Sequence, residues 1–212
     1  MKIRVVSFDV EGTLTTRRFS DVVWEEAIPR LYSEKHGIDL EQAKTYIMRE
    51  YSKVGEEKAD WYSIKYWFKH FDLVDYERLL HQCKHEISYF SDVHEVLESL
   101  RNQYRLVISS NSSREFLDLE LEAIKPFFSN VFSAPSDFGK TKGDKDFYLN
   151  VCKSMGVGST ELVHVGDHWI FDFVTPRKID VKAFYLDRSG QRRGELIVED
   201  LREFSRRLLE LS

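Results

Sequence analysis

Long apolar runs are missing from this 212-residue chain; none approaches the roughly 18 consecutive apolar residues that a membrane-spanning helix needs. Cysteine is nearly missing as well. Cys83 and Cys152 stand far apart in unlike patterns, so they read as free thiols of a reducing cytoplasm and not as a disulfide framework. There is no excess of positive charge. Lys and Arg total 31 against 36 Asp and Glu, a net charge of −5, which argues against non-specific nucleic-acid or membrane-surface binding. Asn and Gln number four each while charged residues reach 32%, a balance that leans toward heat-adapted proteins. No Pro/Gly-rich linker, low-complexity tract or internal repeat interrupts the chain. Its length suits one large domain, or a core with a smaller appendage. The opening "MKIRVVSFD" has a short apolar run closed by an acid and reads as a first strand, not as a signal peptide.

What is present is enough apolar material for a sizeable core, 42% hydrophobic and 14% aromatic. Five short apolar runs read as strands: 3–8, 105–110, 131–134, 162–166 and 182–186. Most are continuously apolar and rich in Val and Ile, as strands buried on both faces are. Helical patterns separate them. Residues 91–103 open with a Ser-Asp cap signal. Residues 112–124 open with Ser112 and Glu115 at capping-box spacing, and 144–156 stop at Gly156. Leu201, Phe204, Leu208 and Leu211 form an amphipathic C-terminal stripe. Strands alternating with helices predict an α/β fold, a Rossmann-like parallel sheet with helices on both faces. Between Thr16 and Phe90 almost every pattern is helical. The expected division is therefore an α/β core of 1–15 and 91–212 and a small all-helical domain of 16–90.

In open parallel sheets, ligands bind beyond the carboxyl ends of the strands. Asp9 ends the first predicted strand, Ser110 and Asn111 the second, and "GDHWIFD" brings Asp167 and Asp172 to the fourth. A loop between them offers Lys140 and Lys142. One strand-terminal Asp is ordinarily a turn or cap residue. Polar residues closing successive segments form a pocket. Three carboxylates close together repel and raise one another's pKa values, and one lysine does not balance them. A lysine with a divalent cation does, and it leaves room for a phosphate. Oxygen donors without a His/Cys cluster favour Mg²⁺ over zinc.

These segments resemble the motifs of the haloacid dehalogenase superfamily, most of whose members are Mg²⁺-dependent phosphatases. "DVEGT" (9–13) is similar to its Asp-x-Asp-Gly-Thr motif and "VISSN" to its Ser-closed strand. "KGDKDFY" (142–148) is similar to its Lys-x-Asp motif, with Lys140 in reserve, and "GDHWIFD" (166–172) to its double-acid motif. The motifs fall in order over nearly the whole chain. Only 32 residues separate Ser110 from Lys142, so the helical stretch 16–90 resembles the cap that some members insert after the first motif. The resemblance implies Asp9 as nucleophile, with Asp9, the backbone of Glu11, Asp167 and Asp172 serving Mg²⁺. It assigns phosphate binding to Ser110, Asn111 and Lys142, with Lys142 also catalytic. The substrate would be a small phosphorylated metabolite and the intermediate an aspartyl-phosphate.

Glu11 departs from the usual second Asp. On a strand it shares a face with Asp9, and its extra methylene reaches about 1.5 Å further. The role implied for it is general acid and then base. Two other functions compete: carbon–halogen hydrolysis, as in the dehalogenases, and ligand binding without catalysis. Glu11, Asp167 and Asp172 oppose the first, because dehalogenases usually carry an aromatic at the second position and lack the "GD" acid. The complete motif set opposes the second. Ile179-Asp180 stands where many relatives turn on a glycine. His81, Cys83 and His85 read as a helix face and not a metal site. Of Trp24, Trp61, Tyr62, Tyr66, Trp67 and Phe68, most are expected in a core, with one or two walling the pocket. Arg17 and Arg18 suit either an exposed hinge or an anionic substrate.

Overall fold

The computed structural model describes residues 2–210. The Leu211 end of the C-terminal stripe lies outside them. Six parallel strands form one sheet in the order β3-β2-β1-β4-β5-β6. They are β1 (Val5–Phe8), β2 (Arg105–Ser110), β3 (Asn130–Ser133), β4 (Leu162–Gly166), β5 (Lys182–Leu186) and β6 (Ile197–Val198). β1 is central, with Ser7 beside Val107 on one side and beside His164 on the other. Three strand boundaries differ from the sequence expectation, one of them the start of β3 at Asn130. β1 starts at Val5, and Ala134 has left β3 to begin a helix over Pro135, whose fixed φ suits a first turn. β6 was not expected, because two residues are too few to show an alternation.

The residues between β1 and β2 are helical. They include α1 (Arg18–Asp21), α2 (Ile28–His36), α3 (Leu40–Val54), α4 (Ile64–His70) and α5 (Tyr76–Cys83). Trp67 and Phe68 pack in an aromatic-rich core with Phe19, Ile47 and Tyr51, and Phe116 from beyond β2 joins them. The sheet is covered on both faces, as its apolar strands require. Period-2 alternation sends Val6, Phe8, Ile108 and Val165 to one side. There they meet α6 (Val93–Leu100) and, further along, the C-terminal helix. Val5, Val107 and Leu162 face the other side. α7 (Arg114–Glu120) and α8 (Ala134–Phe138) follow β2 and β3, and α9 (Lys145–Met155) buries Phe147, Tyr148 and Val151 against that second face. α10 (Thr175–Arg177) precedes β5, and α11 (Leu201–Leu209) closes the chain.

Two helical segments are wound more widely than an α-helix, Val22–Ala27 and Trp169–Val174. The N–H of Ile28 reaches Val23 O and that of Thr175 reaches Ile170 O, each five residues back. Pro29 and Pro176 follow directly. A proline ring presses on the carbonyl four residues earlier, and a wider turn relieves that clash. Asp180 turns the chain with φ 63°, a conformation Asp tolerates better than most residues. The expected helix caps are spent elsewhere. Asp92 begins α6 without capping it; its carboxylate binds Arg188 at 3.0 and 3.1 Å and the N–H of Leu201 at 2.8 Å. Ser113, not Ser112, precedes α7.

The chain enters and leaves the helical region through paired segments. Thr16 N–H bonds Ser88 O at 2.9 Å, and Phe90 N–H bonds Leu14 O at 3.1 Å. Glu120 of α7 grips both. Thr15 Oγ1 donates to its Oε1 at 3.0 Å and Tyr89 Oη to its backbone O at 2.6 Å. The Glu120 side chain is fully buried and its Oε2 has no partner. Burial, reinforced by the Glu11 carboxylate, holds its pKa well above the ordinary 4.5. The folded chain thus keeps a proton that the unfolded chain releases. That contribution to stability is complete below about pH 4.5 and declines as pH rises toward the folded value. Glu120→Gln, a neutral isostere, should raise Tm at about pH 8, with the gap closing near pH 4. Equal Tm values at both pH values would contradict a protonated Glu120.

Candidate active site

The end of β1 sets the site. Asp9 continues the sheet bonding, its N–H on Val165 O at 3.0 Å, and Gly12 turns the chain with φ 78°. Asp9 and Glu11 both line a cavity of about 340 Å³ between the strand ends and the helical region. Lys142 lies at its floor, 2% exposed. Its ammonium has three N–H donors and three acceptors: Asp9 Oδ1 at 2.5 Å, Asp172 Oδ1 at 2.6 Å and Ser109 O at 3.3 Å. A buried ammonium survives only when paired in this way.

Asp172 is held from every side. His164 Nε2 lies 2.9 Å from Oδ1, and the His168 N–H donates to Oδ2 at 2.9 Å. Lys142 and His164 hold its pKa well below the usual carboxylate range, against the effect of burial. Burial lowers the pKa of His164, against the pull of the Asp172 carboxylate that its Nε2 faces. His164 Nδ1 is 2.9 Å from Ser7 Oγ, which is 2.7 Å from Ser109 Oγ. A Cβ on Gly166 would overlap the Asp172 carboxyl, so a larger residue there must displace Asp172.

Asp167 is different. Its Oδ2 accepts from Arg17 at 2.7 Å, but its buried Oδ1 has no partner. Burial raises its pKa, and Arg17 opposes the rise. Burial also raises Asp9, and the carboxylates of Asp172 and Asp167 add to it; against the pull of Lys142, the value reaches about 8. Oxygens of Asp9, Asp167 and Asp172 lie within 4.8 Å of one another, the one such acid, His or Cys group among the described residues. An orphaned carboxylate oxygen in an all-oxygen, acid-rich set fits a hard divalent cation such as Mg²⁺.

A family model for haloacid dehalogenase-like hydrolases matches residues 3–173. The chain belongs to that hydrolase family. The GMP/IMP nucleotidase YrfG of Escherichia coli (strain K12) is 21% identical over 168 residues, 78% of this chain and 74% of that one. The HAD phosphatase from Thermococcus onnurineus superposes with a TM-score of 0.85 at 25% identity, covering 96% of this chain and 97% of its own. The 2-haloacid dehalogenase from Pseudomonas syringae pv. Tomato DC3000 superposes at 0.71 with 19% identity, covering 99% and 100%. At that identity it speaks for the fold alone.

The hydrolase motifs converge on the one cavity. Asp9, Glu11, Ser110, Asn111, Lys142, Asp167 and Asp172 all line it. Ser110 Oγ accepts from the Ser112 N–H at 3.0 Å. Asn111 is a strut, accepting from the Lys142 N–H at 2.8 Å and donating to Tyr62 Oη at 3.2 Å. Lys140 is on the surface, paired with Asp144 and Asp146. Glu11 Oε1 accepts from Ser112 Oγ at 3.1 Å, and burial raises its pKa.

His164, Ser7, Ser109 and Ser112 escaped the sequence reading. The signal was there for three of them, since Ser7, Ser109 and His164 are polar residues inside apolar strands. Buried polar groups need partners, and these find one another. Gly166→Ala should push Asp172 off Lys142 and destabilise the fold by about 1–3 kcal/mol. Unchanged urea denaturation would show that Asp172 has slack there.

Proposed function

We propose that this protein hydrolyses a small phosphomonoester with Mg²⁺, through an aspartyl-phosphate on Asp9. The carrying observation is the ammonium of Lys142 clamped between Asp9 and Asp172, next to the unpartnered Oδ1 of Asp167. The chemistry needs positioning and charge neutralisation more than anything else. Asp9 Oδ1 is committed to Lys142, which assigns the attack to Oδ2. That oxygen bonds to phosphorus as the ester P–O bond breaks, and the leaving oxygen takes a proton from the Glu11 carboxyl. Burial favours a protonated Glu11, as this step requires. Glu11, now a carboxylate, accepts a proton from water as the water oxygen attacks phosphorus. Phosphate leaves and Asp9 is restored.

Lys142 binds phosphoryl oxygens, and Ser110 with Asn111 completes the phosphate site. Asp9, Asp167 and the Glu11 carbonyl would hold the metal. Asp172 closes the acid set and, with both oxygens bonded, serves it by fixing Lys142. When bound, Mg²⁺ would neutralise charge on the phosphoryl oxygens. We assign residues 16–90 as a cap over this centre and 1–15 with 91–212 as the catalytic core. Two buried free cysteines suit a cytoplasmic location. Among the described residues no helix is long and apolar enough to cross a membrane.

The test is turnover of p-nitrophenyl phosphate and of a metabolite panel that includes nucleoside monophosphates, given the nucleotidase relative. Activity should need Mg²⁺, vanish in EDTA and vanish in Asp9→Asn. Glu11→Gln should lose about 10²–10⁴-fold, most with poor leaving groups. EDTA-resistant release of halide from 2-haloacids would favour the dehalogenase reading. Tight phosphate-ester binding without turnover would favour a ligand-binding protein.

A further inference from the structure

Besides the strand-end residues, the cavity is lined from the helical region by aromatic and acidic side chains. Trp24 lies parallel to Phe116, centroids 5.2 Å apart and planes 16° apart. His168 stacks on Phe171 at 4.1 Å and 17°. Trp61 and Tyr62 add aromatic surface from the short turn Ala59–Tyr62. The widened Pro-linked segments carry much of this wall. Val22–Ala27 brings Trp24 and Glu25 to the cavity, and Trp169–Val174 brings Phe171 and Asp172. Asp21, Glu25 and Glu56 line the same cavity, and among the described residues none is paired with a Lys or Arg, Glu56 lying 3.9 Å from His168 Nε2. Seven carboxylates line the cavity against two such cations. Both cations are already committed, Lys142 to its three acceptors and Arg17 to Asp167.

Such a wall discriminates by charge and by shape. A second phosphate or a carboxylate on the leaving half would meet Asp21, Glu25 and Glu56 with no uncommitted Lys or Arg to receive it. A flat ring suits the aromatic faces, and its N–H groups suit carboxylate acceptors. We propose that the alcohol half of the substrate is a flat, N–H-donating ring system without negative charge, received by Trp24 and by the Asp21–Glu25–Glu56 rim, and that esters whose leaving half bears a second anionic group are excluded. This rests on the phosphatase reading and names the substrate class of the same site.

The experiment compares kcat/KM for GMP, ribose 5-phosphate, 2-phosphoglycolate and fructose 1,6-bisphosphate, in the wild type and in Glu25→Lys, Glu56→Lys and the milder Glu25→Gln. Wild type should favour GMP over 2-phosphoglycolate and fructose 1,6-bisphosphate, the two esters with a second anionic group, by about 100-fold or more. Each Lys variant should shrink that ratio by about 10-fold, chiefly through KM, and Glu25→Gln should shift it less in the same direction. Hydrolysis of p-nitrophenyl phosphate without discrimination among the four esters overturns this inference alone. So does a ratio unmoved in both Lys variants, or a preference for ribose 5-phosphate over GMP. No turnover of any ester by the wild type overturns the phosphatase reading with it.

Discussion

One buried ammonium organises this molecule. Lys142 is almost fully buried, so protein groups must answer most of its charge. It must therefore be met by acids, and they must come from different parts of the chain: Asp9 from the end of β1 and Asp172 from the turn past β4, with the Ser109 carbonyl from β2. Breaking such a pair on one side leaves a buried charge unanswered, at a cost of about 3–5 kcal/mol. The clamp thus joins three neighbouring strands at their carboxyl ends. Everything else in the centre supports it. His164 and the His168 N–H hold Asp172, and Asn111 holds the backbone of Lys142.

The topology explains why the clamp lies there. The chain runs outward from β1 to β2 and β3, then crosses back to β4 on the opposite side of β1. Connections diverge at that point and leave a crevice beyond the strand ends. The helical region enters after β1 and leaves before α6, so its linkers flank the same crevice. Glu120 ties both linkers to the core through Thr15 and Tyr89. Arg188 and Asp92 tie the second linker to the turn at Thr13 and to the start of α11. The helical region is anchored next to the chemistry that we propose it covers.

Much of this was legible in the amino-acid order, for definite reasons. Continuous Val- and Ile-rich runs announce strands buried on two faces, so the sheet and its flanking helices could be read directly. The residues that close those strands could be read as well, because Asp9, Ser110 and Asp167 follow apolar runs. Three things could not. β6 is two residues long and shows no period. The wide helical turns depend on prolines two residues beyond them, Pro29 and Pro176, and a proline more often signals an ending. The roles of Ser112 and Asp92 depend on long-range partners, Glu11 and Arg188, which no local pattern names. A cap signal is a statement about neighbours in sequence, and tertiary bonding took both side chains first.

Membership in the hydrolase family and the clamp geometry support one account: Asp9 is the group that phosphorus visits, with Lys142 and a divalent cation compensating the acids around it. The most direct measurement is acid-quenched single turnover with excess enzyme, Mg²⁺ and p-nitrophenyl phosphate, followed by peptide mass spectrometry. The account predicts one phosphoryl group on the peptide bearing Asp9, labile to hydroxylamine and absent in Asp9→Asn. A phosphoryl group on any other residue, or single-turnover release of p-nitrophenol with Asp9 never modified, would contradict it.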